Sequence, residues 1–192
     1  MQEVSINKQA KLSPHFTIGE LTKTSYHTSD GNVPSHVAIE NLKRICGWLE
    51  ILRERYNKKY GPSAGSGPST SSGTATSSGT ATSSGTAAGS GTAAGSGTAE
   101  IPVIINSGYR SEEVNRKCGG AKGSNHLTGC AVDIRCLGPE QMIRYACLLL
   151  DTADENGWVF DELIQEQRGT TYWIHFAVRP KDNRRKILFD CR

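Results

Sequence analysis

Between Pro34 and Gly61 the apolar residues Ala38, Leu42, Ile45, Leu49, Leu52 and Tyr56 recur at alternating spacings of four and three. That period makes one stripe along a helix, while Lys43, Arg44, Glu50, Arg53, Glu54, Lys58 and Lys59 fall elsewhere on it. A long core-packing helix is predicted here, introduced by Pro34-Ser35 and ended by Gly61-Pro62. Upstream, PHFTIGELT (14–22) predicts a short helix capped by Thr17, with Glu20 completing a capping box. Downstream the run Ile101–Asn106 predicts a buried strand, Glu112–Lys117 a short helix, and Cys130–Arg135 a strand with Ala131 and Asp133 on one face. Pro139 opens another helix, with Met142, Ile143, Ala146, Leu149 and Leu150 as its apolar side and Asn156-Gly157 as its stop. Phe160–Gln167 and Tyr172–Val178 then form a hairpin through Arg168-Gly-Thr-Thr and close the domain. The fold class expected is α+β, a mostly antiparallel sheet with flanking helices.

Composition changes this picture in one place. Residues 62–99 carry no charge and consist almost wholly of Gly, Ser, Thr, Ala and Pro, with the unit SSGTAT repeating and decaying into GTAAGS. Such a stretch buries too little apolar surface to offset its ordering entropy, so a flexible insertion within a single domain spanning 1–192 is expected. About 150 residues remain outside it, enough for a real core. The net charge of +3 is too small to argue for nucleic acid. The cluster Arg179–Lys186 supplies much of the excess; it is read as a solvated basic turn, with contact to an anionic polymer as the alternative. No run is apolar enough to span a membrane, and the first residues lack the apolar core of a secretory signal. The expectation is a monomer made in the cytoplasm, reaching other compartments only by release or carriage. The six cysteines include no CxxC pair, and most are expected to be reduced, buried small hydrophobes.

Chemistry concentrates in Ser124-x-His126-x-x-Gly129-x-Ala131-x-Asp133. His126 and Asp133 are ordinary zinc ligand types. They converge if His126 ends a loop, Gly129 permits the tight turn, and Asp133 points inward from the following strand. His175 in Tyr-Trp-Ile-His-Phe offers a third ligand, leaving a fourth position open as in catalytic zinc sites.

The motif SxHxxGxAxD, preceded by Ser107-Gly-Tyr-Arg-Ser and followed by Trp173-Ile-His, resembles the zinc D-Ala-D-Ala carboxypeptidase family. That family includes L-alanyl-D-glutamate endopeptidases, some of them phage endolysins, and shares its fold with the hedgehog signalling domain. The likeness extends over SPHFTIGELT, AIENLKRIC and NRKCGGAKGSNHLTGCAVDI, nearly the whole chain outside 62–100. It implies zinc held by His126, Asp133 and His175, and Arg110 as the group that holds the scissile carbonyl or a substrate carboxylate. Ser124 either donates to substrate or braces its loop. Many relatives place Asp or Glu three residues before the last zinc histidine, where this chain has Tyr172, a poor base at neutral pH. Glu166 is the expected general base, with Glu162 and Asp161 as alternatives. If the hairpin loop has four residues, Glu166 lies opposite Trp173 and on the face of His175. The implied function is zinc-dependent hydrolysis of D-amino-acid-containing peptide bonds in the peptidoglycan stem. A zinc-bearing but inactive cell-wall-binding or structural module is the alternative.

Overall fold

The structure, a computed structural model, describes residues 6–62 and 100–191. The low-complexity stretch, apart from Pro62, lies outside the described residues. Helix α1 (Ile18–Leu21) carries the predicted capping box, in which Thr17 and Glu20 each accept from the other's backbone. Helix α2 (His36–Tyr60) begins at Ser35, whose hydroxyl accepts from the Ala38 amide, and every residue of the predicted stripe is buried. Strand β1 (Ile105–Ser107) is followed by α3 (Glu112–Lys117), a 3₁₀ turn (Asn125–Thr128) and strand β2 (Ala131–Cys136). Helix α4 (Pro139–Asn156) leads to the hairpin β3 (Glu162–Arg168) and β4 (Thr171–Ala177), and β5 (Lys186–Cys191) ends the fold.

The sheet order is β1-β2-β4-β3-β5, antiparallel throughout except for the parallel pair β3/β5. The α+β class with a mostly antiparallel sheet is therefore observed. Helix α4 packs on β2, β4 and β3 and against α2. Trp48 of α2 meets Phe160 and Phe176 edge-on, joining helix to sheet. One sheet face is thus core, and the other is left for chemistry.

Three local expectations are corrected, and the reading of the cysteines holds for most of those described. The strand foreseen over Ile101–Asn106 shrinks to Ile105–Ser107, because Pro102 offers no amide and Asn57 captures the backbone of Ile101 at both N–H and C=O. On α4, Ile143 is exposed, and the buried line runs instead through Met142, Tyr145, Ala146, Leu149 and Ala153. The basic segment after Arg179 is not only a turn, since its last residue, Lys186, begins β5. Among the described cysteines Cys46, Cys130 and Cys136 are buried but Cys118 and Cys147 are exposed; all five are free thiols.

Candidate metal centre

The β2/β4 register sets Asp133 directly opposite His175. Neighbouring strands hold such partners on one face, so the two side chains meet there without any loop adjustment. His126 arrives from the 3₁₀ turn that precedes β2. Ser124 caps that turn, its hydroxyl accepting from the His126 amide at 3.3 Å. Gly129 ends it in the left-handed region at φ +70°, where a side chain would also collide with the Ala38 carbonyl, 2.5 Å from the Cβ position. The turn thereby presses against α2, which is why the chain needs glycine there.

His126 Nε2, Asp133 Oδ1 and His175 Nδ1 form a near-equilateral triangle: 3.2 Å between the histidine nitrogens, 3.2 Å from Oδ1 to His126 and 3.1 Å to His175. Three ligands of a tetrahedral zinc, with bonds near 2.0–2.1 Å, stand about 3.3 Å apart. The donor set fits one face of such a tetrahedron and leaves one corner open. Among the described residues these three form a His/Asp/His group with the spacing to hold a metal ion.

Each ligand is oriented from behind. His126 Nδ1 lies 2.6 Å from the Gly108 carbonyl, so it is the nitrogen that carries the proton and Nε2 keeps its lone pair for metal. Gly108 itself packs on Leu21, whose carbonyl would stand 2.3 Å from a Cβ at that position. Asp133 Oδ2 accepts from Arg110 Nη2, and Arg110 Nε donates to Ser107 Oγ at 2.8 Å. On the far side of His175, Nε2 lies 3.5 Å from Glu162 Oε2.

The electrostatics are those of a cation site. Burial alone would raise the Asp133 carboxyl; the charges and hydrogen bonds of His126 and His175 outweigh it and hold the group well below the usual carboxylate range. Burial lowers His126 below its ordinary value, favouring the neutral imidazole that binds metal. Burial would also lower His175, but hydrogen bonds to Asp133 and Glu162 lift it to about 9. The position that a metal would occupy is one where this protein already prefers positive charge.

The three candidate carboxylates separate cleanly. Asp161 is fully buried and saturated: it accepts from Asn125 Nδ2 at 2.9 Å and from Arg184 Nε and Nη2 at 2.8 and 2.7 Å. Arg179 Nη2 adds an ion pair at 2.9 Å. Its role is to tie the 3₁₀ turn to the start of β3. Glu162 takes the His175 hydrogen bond, the charge of Arg184 and a contact from Lys186, which bring its carboxyl down to about 2. Glu166 lies opposite Trp173, as the hairpin reading anticipates, on the face of His175. Its carboxyl is raised by burial and then by the charge of Asp133. Tyr172, three positions before His175, points to the opposite face and packs against the core.

Sequence reading missed the parts played by Asn125, Gly108 and Arg184, whose partners are distant in the chain. Glu162 was legible in principle, since the same register that places Glu166 also places Glu162 four residues away on the same face.

A buried imidazole, a half-buried one and a carboxylate converging on one open corner, each braced by a second polar group, form a centre of the metallohydrolase type. Comparison with family models narrows the class: residues 96–158 match the model described as Peptidase M15, a stretch that contains Arg110, His126 and Asp133. The match supports the zinc D-Ala-D-Ala carboxypeptidase (M15) family and, with the His-Asp-His cluster, a zinc metallopeptidase. No curated protein matches the chain. Among the described residues no helix is long and apolar enough to cross a membrane.

Proposed function

We propose that this domain hydrolyses D-amino-acid-containing peptide bonds of the peptidoglycan stem, with zinc held by His126, Asp133 and His175 and Glu166 as general base. The observation that carries the reading is the donor triangle of 3.1 and 3.2 Å edges at the foot of an open sheet face. A zinc ion there supplies Lewis acidity toward a carbonyl and lowers the pKa of a water. Glu166 takes the proton from the attacking water and returns it to the leaving amine. A carboxyl raised by burial suits both halves of that exchange better than one held at about 2, the position of Glu162. Arg110 keeps Asp133 aimed at the metal through Nη2, and its guanidinium has further donors with which to hold a carbonyl or carboxylate of the substrate. Ser124 serves as a brace for the His126 turn, the second of the two roles open to it. Released into the wall or carried on a particle, such a domain would meet its polymer directly.

The test is digestion of purified peptidoglycan by the zinc-loaded protein, with released fragments identified by mass. New termini at a bond flanked by a D-residue are expected, and they should vanish with a chelator and return with zinc. Zinc-loaded protein that releases nothing would remove the peptidase reading, and His126→Ala protein that still binds one zinc would remove the ligand assignment.

A further inference from the structure

The antiparallel registers lay out the metal-site face in rows that run across the strands. Through the metal row pass Asp133 of β2, His175 of β4 and Ile164 of β3. The next row, toward the β3/β4 turn, sets Arg135 opposite Trp173 and Trp173 opposite Glu166. Arg135 and Asp133 are two residues apart on β2, so both belong to this face, with Cα atoms roughly 7 Å apart. Val132, Ile134 and Cys136 alternate with them and are buried in the core. Asp133 is buried and Arg135 exposed, so the strand leads from the metal ligands out to the rim of the site.

The other basic groups around the site are committed. Arg110 serves Asp133 and Ser107, Arg184 serves Asp161 and Glu162, and Lys186 lies against Glu162. Arg135 differs. Its backbone amide donates to the Ile104 carbonyl at 2.8 Å, but its side chain makes no hydrogen bond or ion pair with any described residue. A whole fork of donors is thereby left at the rim, carried on a strand paired along both edges. Beside it the half-buried Trp173 gives the row a flat apolar floor.

The proposed reaction says what this fork meets. Glu166 returns its proton to the leaving amine, so the residue on the amine side of the cleaved bond lies along the Glu166 row. Arg135 stands two strands across on that row, about 10 Å away between Cα atoms at ordinary strand spacing. From amine nitrogen to carboxyl carbon an α-amino acid spans only about 2.5 Å. With its nitrogen at the Glu166 carboxylate, its own α-carboxylate falls within reach of the long Arg135 side chain, over the Trp173 ring. We propose that Arg135 anchors a free α-carboxylate on the residue that leaves with the amine. The pairing is of the guanidinium–carboxylate kind, two parallel hydrogen bonds with opposite charges. The inference rests on the peptidase reading and narrows it. The bond cut is one followed by a residue whose α-carboxyl is free, either chain-terminal or continued through its side-chain carboxyl.

The probes are a synthetic stem pentapeptide with free α-carboxyls on its D-glutamyl and terminal D-alanyl residues, and two forms each amidated at one of them. Binding to the zinc-loaded parent and to Arg135→Gln protein is measured by calorimetry, and cleavage is followed by fragment mass. One of the two amidations should weaken binding to the parent about tenfold or more, the scale of a lost charge-assisted hydrogen bond. Arg135→Gln should bind all three peptides alike, with zinc affinity and unfolding midpoint unchanged. Arg135→Lys, which keeps the charge without the fork, should retain part of the preference. The parent should cut just before the residue whose amidation matters. Binding by the parent that is indifferent to both amidations, or undetectable, overturns the proposal. So does a preference that survives in Arg135→Gln, or cleavage at another bond. A preference lost in Arg135→Gln, in a parent that cuts none of the peptides, would keep the carboxylate anchor and remove the peptidase reading instead.

Discussion

Glu162 and Glu166 stand on one face of β3 on either side of Ile164, the residue paired with His175, yet it is Glu162 that reaches the outer nitrogen of that histidine, at 3.5 Å. The two carboxylates are thereby given different tasks. Glu162 braces the outer nitrogen of a candidate metal ligand, and Glu166, its carboxyl raised by burial, is the group proposed for proton transfer.

Opposite phenotypes follow for the two amides. Glu166→Gln should leave zinc affinity nearly unchanged and slow peptide hydrolysis by about a hundredfold or more, the usual scale for losing general acid–base help. Glu162→Gln should instead weaken zinc binding by roughly 10–100-fold, as loss of a ligand's outer partner does. Zinc competition titrations beside single-turnover rates would separate them. Wild-type turnover in Glu166→Gln would pass the base to another group.

Arg110 is held between two acceptors, Asp133 at Nη2 and Ser107 at Nε. Arg110→Lys keeps a charge but loses the planar fork. Both kcat/KM and zinc affinity should fall, the latter by less than in Glu162→Gln. A variant with full activity but weak metal binding would show that the arginine acts on Asp133 alone.

Asp161 should make stability acid-sensitive. Burial would raise its carboxyl, but hydrogen bonds from Arg184 and Asn125 bring it down to about 2 from an ordinary value of 3.8. A depressed folded-state pKa means stability fully present above pH 3.8 and lost as pH falls toward about 2. The linked contribution is on the order of 2 kcal/mol. Asp161→Asn, which removes the counter-charge that Arg179 and Arg184 share but leaves Arg184 paired with Glu162, should cost about 1–3 kcal/mol. Denaturant titrations of the metal-free protein at pH 6 and near pH 3 should show the gap between parent and variant narrowing in acid. An unchanged gap would mean that Asp161 does not titrate in this window.

The ends of the low-complexity stretch are held close together. Asn57 Nδ2 donates to the Ile101 carbonyl at 2.9 Å, its Oδ1 accepts from the Ile101 amide at 2.6 Å, and Arg53 pairs with Glu100. We expect that replacing residues 63–99 by a short Gly-Ser bridge leaves fold and zinc binding intact. Closure entropy changes by only about 0.6 kcal/mol per doubling of length. Loss of cooperative unfolding in the shortened chain would show that the stretch belongs to the folded unit.

Much of the local structure was legible in the chain itself. The stripe of α2, the capping box at Thr17 and Glu20, the glycine stop at Gly157 and the hairpin register are all local or periodic, so neighbouring residues suffice to specify them. The convergence of the three candidate ligands was legible because short spacing around Gly129 places two of them and strand alternation constrains the third. What the sequence could not determine is which carboxylate serves His175, because that depends on Arg184 and Lys186, which reach Glu162 from the segment entering β5. Nor could it place β5, whose parallel pairing with β3 is a long-range contact with no turn to announce it. Local patterning determined the elements and the donors; the division of labour among acids and the exposed edge were decided only when distant segments shared one sheet, since charge and burial at each position come from neighbours in space.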